Sequence, residues 1–243
     1  MKKSTKSVAR GVSEKAEKYL PYLEEIQKKL LTVTAGFFIA AALGFIYYRQ
    51  ILKFVMGQFN LEGINIVLTS PYQVISLAFN TALFTGTLVA IPLLVFHTLT
   101  FLRPALERKE YRLLTSLLPI SLILFLSGFA FGVWVMQFVI KIFTHAALDF
   151  SIGNLWDISR FFSQILMSAL SLGIVFQFPI VLTVLLRLKI VKYKQVITKR
   201  RHMYAASLIF AALLPPTDLL SLVLMVIPMV ILFEFTLLFN RNQ

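Results

Sequence analysis

The chain has 243 residues, of which 58% are hydrophobic, with a mean hydropathy of +0.80, a formal net charge of +13 and no cysteine. This composition excludes a soluble globular domain, a disulfide framework and thiolate chemistry, and it predicts an all-α polytopic membrane protein built as one helical bundle. The basic excess follows topology, leaving nucleic-acid binding a minor alternative: 1–30, 97–112, 187–201 and the tail after Phe239 hold all of the 24 Lys and Arg residues except Arg49, Lys53, Lys141 and Arg160. Such alternation obeys the positive-inside rule and predicts both termini in the cytoplasm with an even number of spans.

Residues 1–29 are polar and lysine-rich, so no cleavable signal precedes the first apolar run and insertion is expected to rely on the first membrane helix itself. Leu20, Leu23, Ile26 and Leu30 recur at helical spacing, which predicts an amphipathic lead-in along the cytoplasmic surface. Glu24–Lys28 and Glu25–Lys29 are i,i+4 pairs in the favourable order, read on pattern alone as solvated ion pairs.

The first span is predicted at 30–48, closed by the aromatic-basic anchor Tyr47, Tyr48 and Arg49. The exported segment that follows, to Pro71, is too polar to cross and is expected to be a loop with a short helix resting on the outer membrane face. A second span at 72–96 carries Ser76, Asn80 and Thr87 on one face, expected to point into the bundle and bond neighbouring helices, with Pro92 bending its inner end. The charged loop 97–112 predicts a short helix starting near Pro104. A third span at 113–140 is long enough to tilt, with Pro119 inside it and Gly128 and Gly132 spaced as a packing face.

After an exported segment anchored by Trp156, a fourth span is predicted at 161–186. Gln177 falls about 15 Å above Arg187, near the middle of the bilayer. Pro179 removes an amide and leaves the Val175 carbonyl without its helical partner, and Gly173 lets another helix come close. A midplane amide beside a proline kink marks either a helix contact or a partner or substrate site. Beyond the second basic loop, a last pair is predicted at 202–214 and 219–239, turned by Pro215, Pro216, Thr217 and Asp218. Its first arm has a charge-free core of about twelve residues. That core reaches roughly 18 Å against about 30 Å of hydrocarbon, so the arm must thin the bilayer or shelter within a larger helical wall. Glu234 on the second arm reaches the basic rim, where Arg200 or Arg201 is its expected partner. Six membrane helices result, with a tail at 240–243.

No nucleophile elbow, His-Glu-x-x-His pair, phosphate-binding loop or facing intramembrane aspartates occur. His97, His145 and His202 are far apart, with His145 on the opposite side by this topology. No enzymatic activity, metal or cofactor is expected.

Several short motifs, in order and in topological place, resemble the TatC family, the multi-spanning core of the twin-arginine protein translocase. The run from Tyr22 through Glu25 and Gln27 to Leu30 is similar to His-Leu-x-Glu-Leu-Arg-x-Arg-Leu. The run from Phe101 through Arg103 and Pro104 to Glu110 is similar to Phe-x-x-Pro-Gly/Ala-Leu-x-x-x-Glu. Phe176-Gln177-Phe178-Pro179 resembles Phe-Glu-x-Pro. Pro215, Pro216 and Asp218, with Ile227-Pro228-Met229 and Phe233-Glu234, resemble Pro-Pro-Asp, Ile-Pro-Met and Tyr/Phe-Glu. The chain departs from the pattern at Tyr22, Gln27 and Gln177, which replace His, Arg and Glu. It also departs at the inserted Thr217 and in lacking a proline late in the third span.

The resemblance implies a glove-shaped, concave bundle in the cytoplasmic membrane that binds twin-arginine signal peptides of folded proteins on its cytoplasmic face. It also implies single-span TatA- and TatB-like partners and export driven by the proton-motive force. Signal-peptide binding falls on the positions matched by Glu25, Glu110 and Phe101, and the intramembrane polar or partner positions on Gln177, Pro179, Asp218 and Glu234. Two competing readings are a small-solute secondary transporter using the kinked fourth span, which calls for internal repeats that the sequence lacks, and a membrane scaffold that has lost signal-peptide binding.

Overall fold

The structure, a computed structural model, describes residues 2–59, 64–101, 108–149, 155–215 and 218–241. It is a helical bundle. The lead-in and the first predicted span form one continuous helix, α1 (Lys2–Ile46), followed after Tyr47 by the short α2 (Tyr48–Met56). A strand β1 (Asn65–Val67) precedes α3 (Gln73–Phe101), and α4 (Arg108–Asp149) leads to a second strand, β2 (Leu155–Asp157). The predicted fourth span is broken into α5 (Ile158–Val175) and α6 (Phe178–Arg187). The basic turn carries α7 (Tyr193–Thr198), and α8 (Arg200–Leu213) and α9 (Leu219–Phe239) complete the chain. The short helix expected near Pro104 falls largely outside the described residues.

Among the described residues five helical segments are long and apolar enough to cross a membrane: Glu24–Ile46, Gln73–Phe101, Thr115–Ala147, Ile158–Arg187 and Leu219–Phe239. The sixth predicted span is α8, whose 14 residues rise about 21 Å, short of a bilayer as the sequence requires. It lies against α9, which also packs on α4 and α6, and Ala211 is its buried residue while Leu208, Ile209, Phe210 and Leu213 stay exposed, so the surrounding helices do not enclose the stubby arm.

Small residues set the two tightest helix pairs. On α4, a Cβ added at Gly132 would come within 2.5 Å of the Ala169 Cα on α5, and one at Gly128 within 2.6 Å of the Leu172 carbonyl oxygen. The predicted packing face is therefore a backbone-to-backbone approach, the close geometry that glycine permits between helices in lipid. Between α1 and α3, Gly44 faces the Thr85 side chain and Gly86 the ring and carbonyl of Phe37. Asn80 donates to Ser163 at 3.1 Å, joining α3 to α5, whereas the Thr87 hydroxyl donates to the Leu83 carbonyl of its own helix. Only part of the predicted polar face on α3 thus bonds across the bundle.

Contacts sort the molecule into two ends. At one end Leu99, Leu117, Ile180 and Val184 cluster, and Leu182, Leu186, Val196, Phe233 and Leu237 form a second knot beneath α7. This end gathers the described parts of the basic segments. At the other end β1 pairs with β2 in parallel, Asn65 opposite Leu155 and Val67 opposite Asp157, above a core of Phe59, Ile64, Met136, Ile140 and Phe161. The short helix expected between the first two spans is α2, whose Ile51, Leu52 and Val55 pack on Leu77, Phe162 and Leu166.

Asp157 fastens that second end. Its carboxylate accepts from the Arg160 amide at 2.9 Å, capping α5, from the Thr69 hydroxyl at 2.6 Å, and from the Gln73 side-chain amide. The Thr69 hydroxyl first, then the Arg160 amide, hold this carboxyl below the usual carboxylate range. A carboxyl whose folded pKa is depressed stabilises the fold fully above its unfolded pKa, and that stabilisation is lost as pH falls through the folded value. The melting temperature of the wild type should therefore fall more steeply than that of Asp157→Asn as pH drops from about 5 to about 2 in detergent, a window set by unperturbed carboxylates. Parallel acid limbs for the two proteins would show that the clasp contributes nothing.

Candidate functional site

At the basic end, α1 and the last turns of α3 enclose a groove of about 280 Å³. Its walls are Ile26, Leu30 and Val33 from α1 and Leu94, Thr98 and Phe101 from α3. One helical turn along α1, Glu25 and Lys29 face the same way, and the Lys29 ammonium lies 2.6 Å from Glu25 Oε1. The same ammonium stands 5.1 Å from the centroid of the Phe101 ring, within reach of a cation–π attraction. Two of the three predicted signal-peptide residues, Glu25 and Phe101, are thus brought near one another from different helices through Lys29, expected from the sequence only as the i,i+4 partner of Glu25. The Glu25–Lys29 spacing was visible in the chain, but the aromatic partner 72 positions later was not. Glu110 sits in the first turn of α4, and its side chain lies outside the described residues.

The remaining candidates separate. Gln177 is 5% exposed at the break between α5 and α6. Its Oε1 accepts from the Ser121 hydroxyl at 2.7 Å and its amide donates to the Ser121 carbonyl at 3.0 Å, so both ends of the side chain are spent on α4. Of the two readings open for this amide, the geometry supplies the helix contact. Pro179, in the first turn of α6, explains the break, since its ring excludes the amide that would continue α5. Next to it, α6, α8 and α9 enclose an apolar cavity of about 400 Å³ walled by Phe178, Met203, Phe210, Met229 and Phe233, with Gln177 at its edge.

Glu234 accepts from the Tyr204 hydroxyl at 2.5 Å and lies 3.6 Å from the Arg200 guanidinium. Its expected ion pair forms with Arg200, and Tyr204, unremarked in the sequence, completes the cluster across α8 and α9. Asp218 is at the far end, capping α9 by accepting from the Ser221 amide at 2.8 Å and hydroxyl at 2.5 Å. The site positions therefore resolve into a basic-end groove, a midplane helix joint, a rim cluster and a helix cap.

Comparison with known proteins gives this arrangement a context. The family profile described as Sec-independent protein translocase protein (TatC) matches residues 21–228. The Sec-independent protein translocase protein TatCy of Bacillus subtilis is 28% identical over 228 residues, covering 91% of this chain and 88% of the relative. The chloroplastic TATC protein of Arabidopsis thaliana is 26% identical over 223 residues, covering 87% of this chain and 63% of the relative. In three dimensions the chain is similar to the crystal structure of a twin-arginine translocase receptor, TatC, with a TM-score of 0.78 at 23% identity, covering 91% of this chain and 98% of that one.

Proposed function

The chain belongs to the TatC family of Sec-independent protein translocase proteins, and on that premise we propose that it is a receptor for twin-arginine signal peptides of folded proteins, bound at the end of the bundle where its bases gather. The observation that carries this reading is the Glu25 carboxylate and the Phe101 ring gathered around Lys29 beside the groove. A guanidinium seeks a carboxylate that it can grip with two parallel bonds and a flat π surface on which to stack, and these two side chains supply both. On a surface dominated by Lys and Arg, a carboxylate is also where a dibasic peptide meets attraction in place of repulsion. Glu110 is assigned the second such carboxylate.

In this reading the basic end faces the cytoplasm, both termini lie there, and α8 makes the sixth crossing of the cytoplasmic membrane of a prokaryote or a derived organelle. The protein catalyses no reaction. It organises single-span TatA- and TatB-like subunits into a complex whose export step is driven by the proton-motive force. The Glu234 rim cluster is assigned to the surface those subunits meet, whereas Gln177 and Pro179 belong to the α4–α6 joint.

Glu25→Ala and Glu110→Ala are each expected to abolish crosslinking of a twin-arginine signal peptide while the protein remains membrane-inserted. Crosslinking in the double variant at the wild-type level would reject the assignment of the site to these carboxylates.

A further inference from the structure

We propose that Lys29 is a built-in competitor that keeps the Glu25–Phe101 site closed until an incoming guanidinium displaces it, an inference that rests on the receptor reading above. The two groups a substrate arginine would use are already in use. The Lys29 ammonium lies 2.6 Å from the Glu25 carboxylate and 5.1 Å from the Phe101 ring, so it takes the charge contact and the π contact together. Its side chain is only 19% exposed, with the stem lining the groove, whereas that of Glu25 is 44% exposed. The carboxylate is therefore open to a newcomer from solvent while the lysine is held from behind. Among the described residues the neighbouring Glu24 and Lys28 share the same spacing yet are not paired, so the spacing alone does not close the bridge; Phe101 supplies the second anchor.

Displacement has a direction. Lys29 is tethered to the site and competes at a high effective concentration without surrendering translational freedom. A substrate lysine would merely exchange one ammonium for another and lose that freedom. A substrate arginine adds a second parallel N–H···O bond and a planar face for the ring, neither of which an ammonium offers. The competitor lowers apparent affinity for every basic peptide by one factor, which equals the fraction of time the site stands open. Only the stronger ligand then stays in a usable range.

The test uses full-length protein in nanodiscs and a fluorescent twin-arginine signal peptide read by anisotropy. Lys29→Met, which keeps the stem and removes the charge, is expected to tighten binding about three- to tenfold, the combined worth of a half-exposed ion pair and a cation–π contact. Lys29→Arg keeps the charge but grips Glu25 with a fork, and it is expected to weaken binding roughly twofold or more. In a Glu25→Gln background both substitutions should lose their effect. Unchanged or weaker binding by Lys29→Met overturns the proposal, because Lys29 would then be supporting Glu25. Lys29→Arg binding like the wild type also overturns it, because charge repulsion alone would then explain the gain in Lys29→Met. Wild-type binding by Glu25→Gln itself would instead reject the receptor reading on which the proposal rests.

Discussion

Gly132→Leu is expected to leave the protein membrane-inserted but to lower its melting temperature in detergent sharply and to broaden its elution on size exclusion. A Cβ at this position would meet the Ala169 Cα at 2.5 Å, the Ser168 carbonyl oxygen at 2.9 Å and the Ala169 nitrogen at 3.0 Å. These are backbone atoms in the middle of α5, and no rotamer change moves them. Overpacking a core by a methylene or two costs about 1–3 kcal/mol where side chains can adjust. Here α4 and α5 must separate along their shared face, so a cost of roughly 3 kcal/mol or more is expected. The consequence spreads, because Val135, Val139 and Leu172 beside this crossing form a core with Ala211 on α8 and Met225 on α9. Gly57→Ala is the control: a Cβ there meets only the Lys53 and Phe54 carbonyls at 3.3 and 3.5 Å, and near-wild-type melting is expected. Equal melting of Gly132→Leu and wild type would mean that the α4–α5 crossing opens freely, and the glycine pair would lose its structural role.

That crossing was legible in the sequence, since the spacing of Gly128 and Gly132 inside an apolar run permits little else. So was the truncation of α8, because Arg201 and Pro215 fix its length without reference to any neighbour. The break at Gln177 follows equally directly from Pro179. What the sequence left open were pairings between distant residues. Nothing in the run from Asn65 to Val67 names Leu155 to Asp157 as its partner, and two three-residue strands are too short to carry a period of their own. Likewise the i,i+4 spacing of Glu25 and Lys29 reads as an ordinary solvated pair until the end of α3 places an aromatic ring above it. Local chemistry placed the apolar segments, although α3 and α4 run to Phe101 and Asp149, past the expected 96 and 140, while the groove depends on which helix ends meet.

The same distinction decides what Gln177 does. Gln177→Leu removes an acceptor and a donor that Ser121 uses at 2.7 and 3.0 Å. Interhelical hydrogen bonds in lipid are worth about 1–2 kcal/mol at most, because a freed polar group finds other partners in the membrane. The loss is expected at that scale and to fall on the α4–α6 joint, lowering the melting temperature. Ser121→Ala should cost a similar amount, and the double variant no more than the larger single loss, since residues that share one bond are non-additive. Copurification with a single-span partner should then decline only in step with folded protein. A Gln177→Leu variant that melts like the wild type but no longer retains the partner would reverse this assignment. The amide would then be serving the subunit that covers the apolar cavity between α6, α8 and α9, with Ser121 merely holding it in the unassembled state.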